Sequence, residues 1–263
     1  MNHPYNQVLL FGDSITQMSF DPHLVGFGAS LANAYQRKMD VINRGFSGYN
    51  TDWALPITHQ LLPTVEDQKK QAASIPLMTI FFGANDAALD FSPQHVPLSR
   101  FRENINTMIN LIKNPDSKYY NPKMRLMLIT PPPINEVQWQ KRCEEQGDEL
   151  NRTNESARQY ANVVKEIGAE KQLVVIDIWS RLMDLTGPGK RDLGEFLFDG
   201  LHLNGNGYEE LYHLIMNAIG QHFPEIHPDN LEMEIPYWKD VIEFDDYSSK
   251  LQFPLLKTKP TGN

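Results

Sequence analysis

Four short stretches of this chain carry residues suited to acyl transfer. Gly12-Asp-Ser-Ile-Thr16 places Ser14 directly after an apolar run. A serine hydroxyl is a weak nucleophile unless a base sits beside it. Asp199-Gly-Leu-His202 offers that base, with a carboxylate three positions earlier to orient the imidazole and stabilise its charged form. Phe82-Gly-Ala-Asn-Asp86 offers the side-chain amide of Asn85 as a donor. Asn43-Arg-Gly-Phe-Ser-Gly-Tyr-Asn-Thr51 offers Gly48, whose backbone N–H can approach a ligand closely. Taken singly, each string has an ordinary structural reading. Ser14 and Asn85 suit helix caps, the Gly48 stretch suits a turn, and His202 is one of eight histidines. Together they make a nucleophile, a base, an orienter and oxyanion donors.

Such a set works only if the fold gathers it. Short apolar runs mark strands at 8–11, 41–42, 76–82, 124–129 and 173–178. Between them, apolar residues recur at helical spacing over 23–38, 98–113, 148–170 and 206–222. Residues 52–62 suit a helix interrupted by Pro56. The pattern switches between periods of 2 and 3.6. Near-continuous apolar strands separated by helices imply an α/β fold: a central five-stranded parallel sheet covered on both faces, in three α/β/α layers. In such sheets ligands bind beyond the carboxyl ends of the strands. Three of the four chemical stretches follow strands, and the fourth leads into the last helix.

Composition narrows the partners. The chain has 263 residues, 41% hydrophobic, with a formal charge of −9. That suffices for one sizeable core. The acidic balance argues against nucleic acid and anionic membrane surfaces. No apolar run approaches the roughly 20 residues that span a bilayer. The start of the chain lacks a secretory leader's basic and apolar segments, which leads us to expect a cytoplasmic protein. Cys143 is the lone cysteine and excludes an intrachain disulfide. Its polar neighbourhood suggests a free surface thiol. We expect residues 1–223 to form the functional domain. We expect residues 224–263, with Trp238, Phe244, Tyr247 and Phe253, to be a C-terminal extension that packs on the domain, packs on a second subunit as a homodimer contact, or frays.

Gly12-Asp-Ser-Ile-Thr16, Gly48, Gly83-Ala-Asn-Asp86 and Asp199-Gly-Leu-His202 resemble the four blocks of the SGNH/GDSL hydrolases, in the family's order. Arg37-Lys-Met-Asp-Val-Ile-Asn-Arg-Gly-Phe-Ser-Gly-Tyr49, Trp53-Ala-Leu55 and Phe198-Asp-Gly-Leu-His-Leu-Asn-Gly-Asn-Gly-Tyr208 further resemble the isoamyl acetate-hydrolysing esterases within it. The likeness covers most of residues 7–240 and is weakest between Pro133 and about Leu150 and over the last 20 residues. It implies a flavodoxin-like sheet, Ser14, Asp199 and His202 as catalytic residues, and an oxyanion hole from the Ser14 and Gly48 N–H groups and Asn85. It also implies a small-molecule ester substrate, an acetate of a small alcohol, with neither metal nor organic cofactor. Asp13 and Asp86 read as structural anchors of their loops.

Other readings stay open at this point. Ser47 and Ser30 sit in strings close to a nucleophile elbow, but one lacks the second glycine and the other lies in a helical pattern. The same chemistry would serve a deacetylase of sugars or a thioesterase. A metal-dependent phosphoesterase would need more ligands than Asp13, Asn85 and Asp86. A non-catalytic ligand-binding module would have no need of the full set.

Overall fold

In the computed structural model, residues 5–243 and 245–253 are described. Five strands form one sheet: β1 (Asn6–Gly12), β2 (Met39–Gly45), β3 (Leu77–Phe81), β4 (Arg125–Ile129) and β5 (Val174–Ile176). The order is β2-β1-β3-β4-β5 and every pairing is parallel. The helices are α1 (Ser14–Gln17), α2 (Phe27–Ala34), α3 (Thr51–Leu61), α4 (Val65–Lys70), α5 (Leu98–Lys113), α6 (Glu136–Gln146), α7 (Asn154–Lys171), α8 (Ile178–Leu185), α9 (Gly205–His222), α10 (Trp238–Val241) and α11 (Tyr247–Lys250).

The apolar run of β1 explains the layering. Val8 and Leu10 point into a core shared with Phe27 and Leu31 of α2, Leu182 of α8, and Leu211, Ile215 and Ile219 of α9. Leu9 and Phe11 point the other way, against Ala54 of α3, Phe101 and Ile105 of α5, and Val164 and Ile167 of α7. Successive strand residues face opposite sides, so a strand buried on both must be apolar throughout. The three-layer α/β/α fold is therefore the one its strands demand.

The sheet reverses direction at β1. From β1 the chain steps outward to β2, then returns to β3 on the other side. A crevice opens at such a switch point, beyond the carboxyl ends of the two strands. Gly12 ends β1 and Phe81 ends β3, side by side in register. Gly12 also has to be small, because a Cβ there would collide with Thr16 Oγ1 and the Phe81 carbonyl.

Local chemistry moves several element boundaries. The helix expected at 23–38 is confined to Phe27–Ala34, because Gly26 packs against the backbone of Ser19 with no room for a Cβ. The fifth strand stops at Ile176, since Asp177 caps α8 by accepting the Ser180 N–H. α3 runs straight through Pro56. Its Asn50 cap, buried Ala54 and Thr58, and the link from Asp52 to Arg100 and Asn104 outweigh the one backbone bond that proline removes. The helix expected at 148–170 begins only at Asn154, capped by Thr153, so residues 148–153 are loop. α6 was not foreseen. It buries Trp139 and Cys143, four positions apart and hence on one face. Cys143 is therefore a buried core thiol and not the surface thiol its polar neighbours suggest.

After α9 the chain folds back along the α2–β2 corner. Tyr35 donates its hydroxyl to the Ile226 carbonyl at 2.8 Å. Arg37 donates to the carbonyls of Ile235 and Pro236, and its own carbonyl accepts from Glu234 N–H. Tyr5 meets Phe253 edge to face. Trp238, Ile242 and Tyr247 remain exposed. Phe244 and residues 254–263 lie outside the described residues. Among the described residues, no helix is long and apolar enough to cross a membrane.

Candidate active site

Ser14 opens α1 directly beyond β1, with Asp13 as the helix cap accepting Ile15 N–H. The first N–H groups of a helix have no partner within it, so Ser14 meets the crevice with a hydroxyl and a free-standing backbone end. Ser14 Oγ lies 2.9 Å from His202 Nε2. On the far side of the ring, His202 Nδ1 lies 2.7 Å from Asp199 Oδ2. Nδ1 is thus the protonated nitrogen that donates to the carboxylate, leaving Nε2 to accept the serine proton.

The loop carrying Asp199 and His202 is built for this alignment. Asp199 Oδ1 accepts the backbone N–H groups of Leu201 and His202, at 3.1 and 2.9 Å. Phe198 N–H donates to the His202 carbonyl, and Asn204 then caps α9. Gly200 has φ +95° and its Cβ position is filled by Trp139 N and Asn135 O, so only glycine fits where this loop presses on α6. Arg142 from α6 approaches Asp199 Oδ2 at 3.5 Å. Burial pushes the Asp199 carboxyl up, but the hydrogen bonds and charge of His202 and the loop N–H groups outweigh it and hold it below the usual carboxylate range. Phe198 stacks on the imidazole, with ring centroids 5.6 Å apart and planes 15° from parallel.

A second wall of the candidate site gathers around Asn85. Asn85, just past β3, donates Nδ2–H to the Tyr49 carbonyl at 2.9 Å. Gly48 sits beside it at φ +80°, a conformation that favours glycine. The side chain of Gln94 bridges the two, donating to Gly48 O at 2.8 Å and to Asn85 Oδ1 at 3.2 Å. Behind them lies Arg152, only 4% exposed. It donates to Asn85 Oδ1, to Gln94 Oε1, to Ala84 O and to Asn151 Oδ1. Its guanidinium also lies 5.0 Å from the centroid of the Trp139 ring. Burial draws Arg152 down to about 10, partly offset by nearby groups including Asp13 and Asp199, so it stays cationic at neutral pH.

The floor between the walls holds two carboxyl groups. Asp86 accepts from Thr51 N–H and Thr51 Oγ–H, which ties the β3 loop to the start of α3. Asp13 and Asp86 are wholly buried, and burial pushes each up to about 7. Each has one oxygen without a hydrogen-bond partner.

Of the residues singled out from sequence, Ser14, His202 and Asp199 are joined by hydrogen bonds, and Gly48 and Asn85 are joined through Gln94. Ser47 is exposed and Ser30 lies within α2, and among the described residues only Ser14 hydrogen-bonds a histidine nitrogen through its hydroxyl. Among these residues no group of three His, Cys, Asp or Glu side chains could hold a metal ion. Gln94, Trp139, Arg142 and Arg152 escaped sequence reading. The one available signal was Thr153, whose role as a helix cap would have placed Arg152 in a loop.

Known proteins resemble this chain in sequence and in fold. Residues 10–210 match the model of the GDSL-like lipase/acylhydrolase family. The chain is 41% identical over 240 residues to the human isoamyl acetate-hydrolyzing esterase 1 homolog, covering 90% of this chain and 88% of that protein. It is 33% identical to the isoamyl acetate-hydrolyzing esterase of Saccharomyces cerevisiae, covering 91% and 96%. Among solved structures, a lipase/acylhydrolase from Enterococcus faecalis superposes with a TM-score of 0.59 at 30% identity, covering 88% of this chain and all of that one.

Proposed function

This chain belongs to the GDSL-like lipase/acylhydrolase family, and on that premise we propose that it is a serine carboxylic-ester hydrolase working through an acyl-serine at Ser14. The observation that carries the reading is the continuous relay Ser14–His202–Asp199, with links of 2.9 and 2.7 Å.

Ser14 Oγ attacks the ester carbonyl carbon while its proton passes to His202 Nε2. The carbonyl oxygen becomes an oxyanion and is received by the backbone N–H groups of Ser14 and Gly48 and by Asn85 Nδ2. As the carbon–oxygen bond to the alcohol breaks, His202 returns its proton to the leaving oxygen. Water then enters, gives a proton to His202 and attacks the acyl carbon. As the bond from that carbon to Ser14 Oγ breaks, His202 passes the proton to Oγ, which releases the acid and restores Ser14. Asp199 holds the imidazole's tautomer throughout and offsets its positive charge.

The substrates we propose are short-chain esters of small alcohols, acetates such as isoamyl acetate. The names of the human and yeast relatives support this choice. The lone, unpaired Cys143 fits a reducing compartment, and supports the cytoplasm as its place of work.

Turnover of p-nitrophenyl acetate by wild type and by Ser14→Ala, each with and without EDTA, tests the chemistry. We expect a loss of about 10⁴-fold or more in kcat for Ser14→Ala and none from EDTA. Undiminished turnover in Ser14→Ala would remove Ser14 from the mechanism. A rate series from acetate to hexanoate esters checks the substrate class, and a flat series would reject the short-chain assignment.

A further inference from the structure

We infer that Arg152 is a positioning residue for the oxyanion hole, holding Asn85 and Gly48 in register through one buried clamp that includes Gln94. The inference rests on the serine-hydrolase reading above and assigns a role to a residue outside the four chemical stretches.

An asparagine amide can present either its oxygen or its NH₂ to a crevice, and the two faces have opposite polarity. An oxyanion needs the NH₂. In this structure the choice is made by partners on both sides of the group. Asn85 Oδ1 accepts from Arg152 Nη2 at 3.0 Å and from Gln94 Nε2 at 3.2 Å. Asn85 Nδ2 donates one hydrogen to Tyr49 O at 2.9 Å. Turning the amide over would face NH₂ against a guanidinium and a second NH₂, and oxygen against a carbonyl. Every contact would become repulsive. The second Nδ2 hydrogen is the one left for an oxyanion.

The same clamp reaches the other donor. Gln94 fixes the Gly48 carbonyl at 2.8 Å, and its own Oε1 accepts from Arg152 Nη2 at 2.6 Å. One guanidinium nitrogen therefore sets both the Asn85 amide and the glutamine that steadies Gly48. Arg152 is itself fixed by Ala84 O at 3.1 Å and Asn151 Oδ1 at 2.8 Å. A planar fork of donors can serve these acceptors together, whereas an ammonium cannot match the geometry. Arg152 hydrogen-bonds neither Ser14 nor His202, so its hold on position passes through Asn85 and Gln94. Its charge also acts on Asp13 and Asp199, and a loss that came through charge would persist in the Asn85→Ala background.

A double-mutant cycle separates this role from general support of the fold. Arg152→Gln, Arg152→Lys, Gln94→Leu and Asn85→Ala are compared singly, and each of the first three is combined with Asn85→Ala. Thermal unfolding selects the variants that remain folded, and Gln94→Leu serves if both Arg152 variants do not. For p-nitrophenyl acetate we expect Arg152→Gln to lower kcat by about 10²-fold, as misplacement of a reacting group by about 1 Å can. KM should change little. Arg152→Lys should recover only part of the rate. In the Asn85→Ala background the Arg152 and Gln94 substitutions should cost far less than they do alone, because residues acting as a unit are non-additive. Full additivity would overturn the inference, as would a loss confined to KM or wild-type turnover from Arg152→Lys. If Asn85→Ala itself leaves kcat unchanged, the oxyanion-hole reading fails, and that outcome is distinct from additivity.

Discussion

The two walls of the crevice are held by opposite means. The relay wall is local: Asp199 and His202 lie in one short loop, and a single carboxylate takes the imidazole and two loop N–H groups. Its side chains are partly open, 13% exposed for His202 and 10% for Asp199. The donor wall is assembled from distant parts. Arg152 meets Asn85 across 67 positions and Gln94 across 58, and Gln94 meets Gly48 across 46. The contrast suits the tasks proposed above for the two walls. A proton carrier needs a fixed tautomer but some freedom to swing between serine, leaving group and water. An oxyanion hole works by being in place before charge develops, so it gains from rigidity.

The largest effect that tests this contrast is on the relay wall. Asp199→Asn keeps the shape of the loop but inverts the preferred tautomer of His202, and should lower kcat by about 10³- to 10⁴-fold. Thermal stability should fall only slightly, because the two loop N–H groups keep an acceptor. Scanning calorimetry beside steady-state kinetics reads both. A collapse in stability would show that the relay loop supports the fold as heavily as the donor wall does.

A smaller effect lies in the floor. The folded protein raises Asp13 and Asp86 from the usual carboxylate range to about 7. Folding thus favours their protonated forms, and the native chain binds more protons than the unfolded one between about pH 4 and pH 7. Their contribution to stability is fully present below pH 4 and is lost as pH rises to 7. Asp13→Asn should flatten this part of the profile by roughly a few kcal/mol at most, measured as urea midpoint against pH. An unchanged slope would assign the pH dependence to other groups.

The smallest effect sits at the rim. Phe198 stacks on His202 yet is 46% exposed. Phe198→Ala should cost under about tenfold in kcat/KM, since such ring pairs contribute about 0.5–1.5 kcal/mol beyond their area. A loss as deep as that of Asp199→Asn would mean that stacking, and not the carboxylate, aligns the imidazole.

The same contrast explains what was legible in the sequence. The fold could be read because each strand buried on both faces must be apolar along its length, as Val8-Leu-Leu-Phe11 is. The relay could be read because a carboxylate three residues before a histidine acts within one loop. The donor wall was half legible. Gly48 and Asn85 stand in recognisable strings, but Arg152 and Gln94 gain their meaning only from tertiary contacts. α6 stayed hidden because Trp139 and Cys143 are its only buried residues, in a run otherwise polar or exposed. The Cys143 error follows directly, since polar neighbours in sequence say nothing of which helix face turns inward. Pro56 misled in the other direction, its local penalty being smaller than the tertiary anchoring of α3.

The hydrogen bond from Ser14 to His202 spans 188 positions, nearly the whole of the stretch 10–210 that matches the family. During synthesis the histidine is added 188 residues after its serine. A growing chain on the ribosome therefore carries Ser14 on a finished β1 sequence with no partner for its hydroxyl. β1 itself sits between β2 and β3, so its first neighbour is made soon and the relay long afterwards. The order of manufacture thus places assembly of the relay after the sheet that carries it has been encoded in full, since β5 ends at Ile176 and His202 follows.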